Sequence, residues 1–419
     1  MSDESHIHKY KDFDVEILKS GSSYVARVLK SPSGEARCGF DKRPVAAAEL
    51  KRFAQEILIR GAPARRVDRP DAAAAKRLGE KLYAALFAGD VLTCYERSLQ
   101  QCLDTEGLRV RLRFQLCPEL MNIPWELLYD RRNDNFLGMA PRTPIVRYME
   151  LGQPISPLIV SGRLKVLVVT AAPRVQGLGS LKIKSEFRDL KKALKELEDV
   201  GRVEIEELNG ASIQELHDRL NAKVFHVIHF IGHGTFDEDR GEGSLLFEGP
   251  GRSRQDVSGA QLGIVLQSHR TRLVVINSCD GARTDAADPF SGVAQSLVQK
   301  GIPAVVGMQF SITDDAALAF SRVFYRSIAE GVPVDRAVTN ARQSIMLAPN
   351  WLEWATPVLY LRAEHGDLFD FRNAGGIAGL QTAATTASAA PRPSRQSGFG
   401  PDGDPQPDLP APAFSSAGP

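Results

Sequence analysis

Two apolar runs, each ending in a reactive residue, constrain this chain more than anything else in it. They are Val224-Phe225-His226-Val227-Ile228-His229-Phe230-Ile231-Gly232-His233-Gly234 and Leu273-Val274-Val275-Ile276-Asn277-Ser278-Cys279-Asp280-Gly281. Runs of β-branched and aromatic residues that stop at small polar or glycine residues read as buried parallel strands. The carboxyl ends of such strands are where an open α/β sheet collects its chemistry. His233 and Cys279 would meet there, a thiolate nucleophile with an imidazole partner, which is the minimum equipment of a cysteine peptidase.

The same pattern continues along the chain. Residues 160–372 alternate strand and helix throughout, which predicts a mainly parallel six-stranded sheet with helices on both faces. The strands are expected at 164–170, 202–207, 224–230, 273–278, 303–308 and 357–361. Phe187, Leu190, Leu194 and Leu197 recur at helical spacing, and Ser212 with Glu215 forms a candidate capping box. Residues 1–155 read as a smaller α+β region. It starts with a hairpin, 13–18 with 24–29, followed by helices over 46–58 and 72–87, and 108–114 alternates like a half-buried strand. This region carries no catalytic set and is expected to cover an edge of the core or to receive a regulatory partner. Residues 373–419 are rich in Ala, Thr, Ser and Pro, with too little apolar content to offset the entropy of ordering, and are expected to form a disordered tail. The tail is the other expected place for such a partner to bind.

Charge and cysteine usage remove several classes. With 52 basic and 51 acidic residues the formal net charge is +1, so neither nucleic acid nor an anionic membrane is expected as a main partner. No apolar run of about 18 residues is present, and the polar, acidic start lacks the layout of a signal peptide, which together predict a cytoplasmic protein. Five cysteines at irregular spacing argue against a disulfide framework or a zinc knuckle. His226, His229 and His233 have the spacing of a metal triad on a helix. Strand periodicity sends His226 and His229 to opposite faces, however, so no metal is expected, and His229 is expected to pack or hydrogen-bond beneath the site. No cofactor is expected either. The sequence Gln176-Gly177-Leu178-Gly179-Ser180 lacks the third glycine and the immediate helix of a dinucleotide fingerprint, and there is no P-loop.

The order His-Gly then Ser-Cys, each behind an apolar strand, resembles the caspase-like peptidases, a group that includes caspases, metacaspases, separases and gingipains. Within it the chain is most similar to the bacterial CHAT domain. The resemblance rests on His229-Phe230-Ile231-Gly232-His233-Gly234, on Asn277-Ser278-Cys279-Asp280-Gly281, and on Val305-Val306-Gly307-Met308-Gln309-Phe310 with Asp314-Asp315. It extends to Pro333-Val334-Asp335-Arg336-Ala337-Val338 and to Trp354-Ala355-Thr356-Pro357-Val358-Leu359-Tyr360-Leu361. Upstream, Pro124-Trp125-Glu126-Leu127-Leu128-Tyr129-Asp130 and Pro141-Arg142-Thr143-Pro144-Ile145-Val146-Arg147-Tyr148 also fit. The resemblance implies a caspase-like core and a cysteine endopeptidase that cuts a protein partner in a bacterial stress, defence or cell-death response. No helical repeat of TPR period is present, so activation through such repeats is not implied.

The expected chemistry follows from the residue types. Cys279 attacks the scissile carbonyl, His233 protonates the leaving amine, and the backbone N–H groups of Gly234 and Cys279 hold the oxyanion. Asp314 and Asp315 are candidates to attract a basic P1 side chain, and the alternative is that they and Thr313 cap the helix starting there. Asp280 is a further specificity candidate, or stabilises its own loop. The rival to an enzyme is a catalytically silent module that keeps the fold and binds a peptide or protein along the groove.

Overall fold

The computed structural model describes residues 9–59, 70–102, 106–114, 117–150, 152, 155–175, 183–237, 242–277, 289–310, 312–347 and 351–371. Cys279, Asp280, residues 281–288 and the segment over 373–419 lie outside them.

The six expected strands are β9 (Leu164–Ala171), β10 (Val203–Asn209), β11 (Val227–Gly232), β15 (Leu273–Asn277), β16 (Ala304–Met308) and β17 (Pro357–Leu361), with β18 (Phe369–Asp370) after them. Between β11 and β15 the chain forms a separate antiparallel sheet of β12 (Gly234–Asp237), β13 (Glu242–Glu248) and β14 (Arg254–Ser258). The third run enters its strand later than expected. His226 is already committed outside the ladder, since its N–H donates to the Lys165 carbonyl while its Nδ1 accepts from the Lys165 N–H at 3.1 Å.

The main sheet does not stop at six strands. The first 150 residues add β1 (Tyr10–Ser20), β2 (Ser23–Lys30), β3 (Ala36–Phe40), β4 (Gly107–Arg113) and β7 (Ile145–Tyr148). The result is one eleven-stranded sheet of order β10-β9-β11-β15-β16-β17-β7-β4-β1-β2-β3. Smaller pairs join β5 (Tyr129–Asp130) to β6 (Asn135–Phe136) and β8 (Leu158–Ile159) to β18. The β9, β10, β11, β15 and β16 ladder is parallel; β17 reverses, and β7, β4 and β1 run parallel to β17. The expected hairpin is β1–β2, turned at Gly21, whose φ of 63° suits a residue without a side chain.

β4 is buried along its whole length rather than on one face. Its alternating arginines, which read from sequence as a solvent-facing stripe, turn into the protein. Arg109 meets Asp12 at 3.2 Å and Asp335 at 3.3 Å, Arg111 meets Asp12 at 3.1 Å, and Arg113 meets Asp14 at 2.7 Å. Arg111 and Arg113 also lie over the Tyr148 ring. Pairing and hydrogen bonding make such burial tolerable.

Helices cover both faces. The 17-residue α4 (Ile183–Asp199) carries the expected stripe, with Leu190, Leu194 and Leu197 buried and Phe187 packed against the core. It packs beside α8 (Asp314–Ala329). On the opposite face, Phe230 of β11 meets Phe247 of β13 at 5.3 Å, and α7 (Pro289–Gln299) packs on β13. α5 (Ile213–Ala222) opens with the expected box, in which Ser212 Oγ accepts from Glu215 N and Glu215 returns a carboxylate to Ser212 N. The remaining helices are α1 (Ala47–Ile59), α2 (Pro70–Leu86), α3 (Gly89–Gln101), α6 (Gly259–Gln267) and α9 (Val334–Met346). No helix among the described residues is long and apolar enough to cross a membrane.

Candidate active site

Strand order alone locates a crevice. β9 is hydrogen-bonded to β10 on one side and to β11 on the other, so the chain winds away in both directions from the β9/β11 junction. At such a switch point the loops leaving the carboxyl ends diverge and leave a cleft. His233 follows the last residue of β11 at that end and is buried. Gly232, just before it, pairs with Ala171, and a Cβ there would come within 2.6 Å of the Phe230 ring and 3.1 Å of the Ala171 carbonyl. A side chain at 232 would therefore push the two strand ends apart.

The backbone after His233 is turned by the small sheet. The Leu246 N–H donates to the His233 carbonyl at 2.9 Å, which makes 233/246 a hydrogen-bonded couple and 234/245 the wide one between such couples. The Gly234 N–H consequently points away from β13, toward the open edge of the β12-β13-β14 sheet.

The partner strand ends beside it. β11 and β15 are in parallel register, with His229 opposite Val275 and Ile231 opposite Asn277, so alternate residues put His229, Ile231, Val275 and Asn277 on one face. Asn277 is the last described residue before Cys279, two positions on. Beneath these strand ends lies a cleft whose walls include His229, Ile231, Asn277 and Ser321, with Glu186, Asp189 and Asp314 along it. Asp314 and Asp315 are both exposed in the first turn of α8, but only Asp314 lines this cleft. The N-cap of α8 is Thr313, whose hydroxyl accepts from Ala316 N; it is held in turn by Glu353, which accepts from Thr313 N at 2.9 Å and from its Oγ1 at 2.7 Å.

Two histidines near the site are neutral by burial. Desolvation lowers His226 to about 4, with Lys165 and Arg270 adding to the effect, and lowers His229 to about 3. His229 bonds through Nδ1 to the Tyr325 hydroxyl at 2.8 Å, on the α8 side of the sheet. No group of three His, Cys, Asp or Glu side chains among the described residues is placed to hold a metal.

These shifts have a consequence for stability. An unfolded chain takes up a proton on each histidine near pH 6.5, whereas the folded chain resists until about 4 or 3. Between those values the unfolded state binds more protons, so the stabilisation is complete above pH 6.5 and is lost as pH falls. Lowering the pH from 7 to 4.5 is expected to shift the urea midpoint down by the equivalent of several kcal/mol, at about 1.4 kcal/mol per pH unit for each group. His226→Gln, which does not titrate, should flatten part of this slope. A slope identical to wild type would show that His226 is not held neutral.

Several residues that position the site were not legible as such in the sequence. Glu126, fully buried, accepts from Arg147 at 2.9 Å and from Gln309 Nε2 at 3.0 Å; Gln309 Oε1 accepts from Arg147 at 3.0 Å, and its amide also donates to the Ala355 carbonyl at 2.7 Å. Gln309 follows β16, so the Pro-Trp-Glu segment of the N-terminal region clamps the start of the 309–313 loop and Glu353 clamps its end. Phe53 of α1 meets Phe310 of the same loop edge-on at 5.9 Å.

A structural comparison finds likeness to separase in the Saccharomyces cerevisiae separase–securin complex, at 10% identity and a TM-score of 0.49 over 86% of this chain and 30% of that one. A second likeness is to the Arg-specific cysteine proteinase gingipain R, at 11% identity and a TM-score of 0.41 over 77% of this chain and 75% of the other. The chain thus spans less than a third of the separase chain. No curated protein matches by sequence. The CHAT domain family model matches residues 76–367, taking in β4, the Pro-Trp-Glu clamp, both strand ends and β17, and the chain belongs to the CHAT domain family.

Proposed function

We propose that this chain is a cysteine endopeptidase in which Cys279 is the nucleophile and His233 its proton partner. The observation that carries the reading is the placement of His233 at the switch-point end of β11, with Asn277, two residues ahead of Cys279, in register on the adjacent strand. Imidazole and thiol on neighbouring strand ends are the geometry that nucleophilic cysteine catalysis needs. The outward-pointing Gly234 N–H supports its role as an oxyanion donor, with the Cys279 N–H as the second. The substrate is a protein segment laid across the strand ends, and the setting is a cytosolic stress, defence or cell-death response. A peptidyl acyloxymethyl ketone probe tests the reading. It should label wild type at Cys279 and leave His233→Ala unlabelled; a wild-type protein inert to the probe would favour the peptide-binding scaffold instead.

Asp314, with Glu186 and Asp189 near it along the cleft, would receive a basic P1 side chain. Asp315, on the same turn but off the cleft, would serve the positive end of α8, and Asp280 remains a candidate through its place beside the nucleophile. Asp314→Asn is expected to reduce cleavage after Arg or Lys about tenfold or more relative to cleavage after Leu, because it removes a charge facing the substrate cation. An unchanged P1 profile, with stability altered by no more than about 1 kcal/mol, would assign Asp314 to the helix terminus alone.

A further inference from the structure

The inner wall of the cleft contains an incomplete hydrogen-bond chain. Tyr325 is fully buried, and its hydroxyl has one partner among the described residues, His229 Nδ1 at 2.8 Å. Burial pushes the Tyr325 ionisation far up, so the hydroxyl keeps its proton. A buried O–H with a single partner satisfies its hydrogen by donating to it. His229 Nδ1 is then the acceptor, and the neutral ring carries its own proton on Nε2.

That Nε2–H, on a side chain 2% exposed, has no partner among the described residues. Neither does Oδ1 of Asn277, which is 7% exposed. One is a donor and the other an acceptor. They stand on the same face of adjacent strands and line the same cleft, which offers about 20 Å³ to the centre of a water-sized sphere. A buried water needs about 10–15 Å³ and two to four polar partners, and an unsatisfied buried polar group costs about 1–3 kcal/mol. We infer that one ordered water sits here, accepting from His229 Nε2–H and donating to Asn277 Oδ1. Tyr325 and His229 are thereby positioning residues for the end of β15, two residues ahead of Cys279. Ser321, buried on the same wall, is the next polar group for the water's second hydrogen.

The chain Tyr325, His229, water, Asn277 fixes which way the Asn277 amide faces. Its effect on Cys279 rests on the peptidase reading; the water and the tautomer do not. The experiment therefore has two arms on the full chain. In the first, a crystal structure at a resolution that shows ordered water should place density within hydrogen-bond distance of both atoms. Nitrogen-15 histidine spectra should show His229 as the Nε2–H tautomer from pH 8 to pH 5. Tyr325→Phe, which removes a single oxygen, should release that preference into a mixture. Density missing at this point, or an Nδ1–H tautomer in wild type, would overturn the inference.

In the second arm, labelling of Cys279 by the acyloxymethyl ketone is compared between His229→Gln, which keeps an N–H to offer the water, and His229→Leu, which does not. Each variant is first shown by urea unfolding to be folded. The Leu variant should label about tenfold more slowly than wild type, the scale of one ordinary hydrogen bond, and the Gln variant within about threefold of it. Equal rates in the two variants would remove the positioning role. If His229→Leu does not fold, Tyr325→Phe takes its place, and a wild-type labelling rate in it would count against that role. Wild type that does not label at Cys279 while the water is present would sink the peptidase reading and leave the water standing.

Discussion

Replacing Cys279 or His233 by alanine is expected to lower peptide-bond cleavage on the order of 10⁴-fold or more while leaving the protein folded. In the proposed mechanism the first change removes the nucleophile and the second its proton partner. His233 is not among the apolar residues that hold β11 against β9 and β15, which include Val227, Phe230, Val166 and Ile276. Because the two groups act as one unit, the double variant should be hardly worse than either single variant. Comparing the proteins cleaved in cells that express wild type and Cys279→Ala would identify the substrate as well as check the chemistry. Turnover that survives in Cys279→Ala would remove the mechanism outright. The described cysteines, Cys38, Cys94, Cys102 and Cys117, all lie in the N-terminal region, and burial raises the thiols of Cys38, Cys102 and Cys117 away from the reactive thiolate.

The largest expected effect on stability comes from Glu126→Ala. Arg147 is buried, and Glu126 is the carboxylate that faces it, through Nε at 3.2 Å and Nη2 at 2.9 Å. Removing one partner of a buried pair leaves the other charge without compensation, which costs about 3–5 kcal/mol. Arg147 keeps its bonds to the Met121 and Ile123 carbonyls, so the loss should stay within that range. Urea unfolding measures it. The same change removes the Glu126 acceptor of Gln309 Nε2 and should loosen the segment after β16, so that cleavage of a protein substrate falls while the variant is still folded. Glu126→Gln, which preserves shape and an acceptor oxygen, should lose less. A Glu126→Ala protein as stable as wild type would mean that the pair contributes nothing net.

Elements that depend on local chemistry are legible in the order of the residues alone. Leu273 to Ile276 and Ala304 to Val306 are contiguous apolar runs, and Val227 to Ile231 is interrupted only by His229, because a strand covered on both faces has no solvent side; this makes them recognisable without knowledge of their neighbours. The capping box at Ser212 and Glu215 was equally local, since both partners lie within one turn. The proposed dyad stands out in the sequence because His233 and Cys279 each close such a run.

Features that depend on which distant segments meet become legible only in the folded chain. Arg109, Arg111 and Arg113 alternate with apolar residues as a half-exposed strand would, and only the arrival of Asp12 and Asp14 from β1 and Asp335 from α9 turns that stripe inward. The same holds for the joining of β17 to β7, which carries the sheet from six strands to eleven. Glu126 and Gln309 are 183 positions apart, and His229 and Tyr325 are 96 apart. Hydrophobic period reports whether a residue is covered, but not by what. A buried charge or a buried hydroxyl is tolerable only when a particular partner meets it, and that partner is set by the register and packing of the whole sheet.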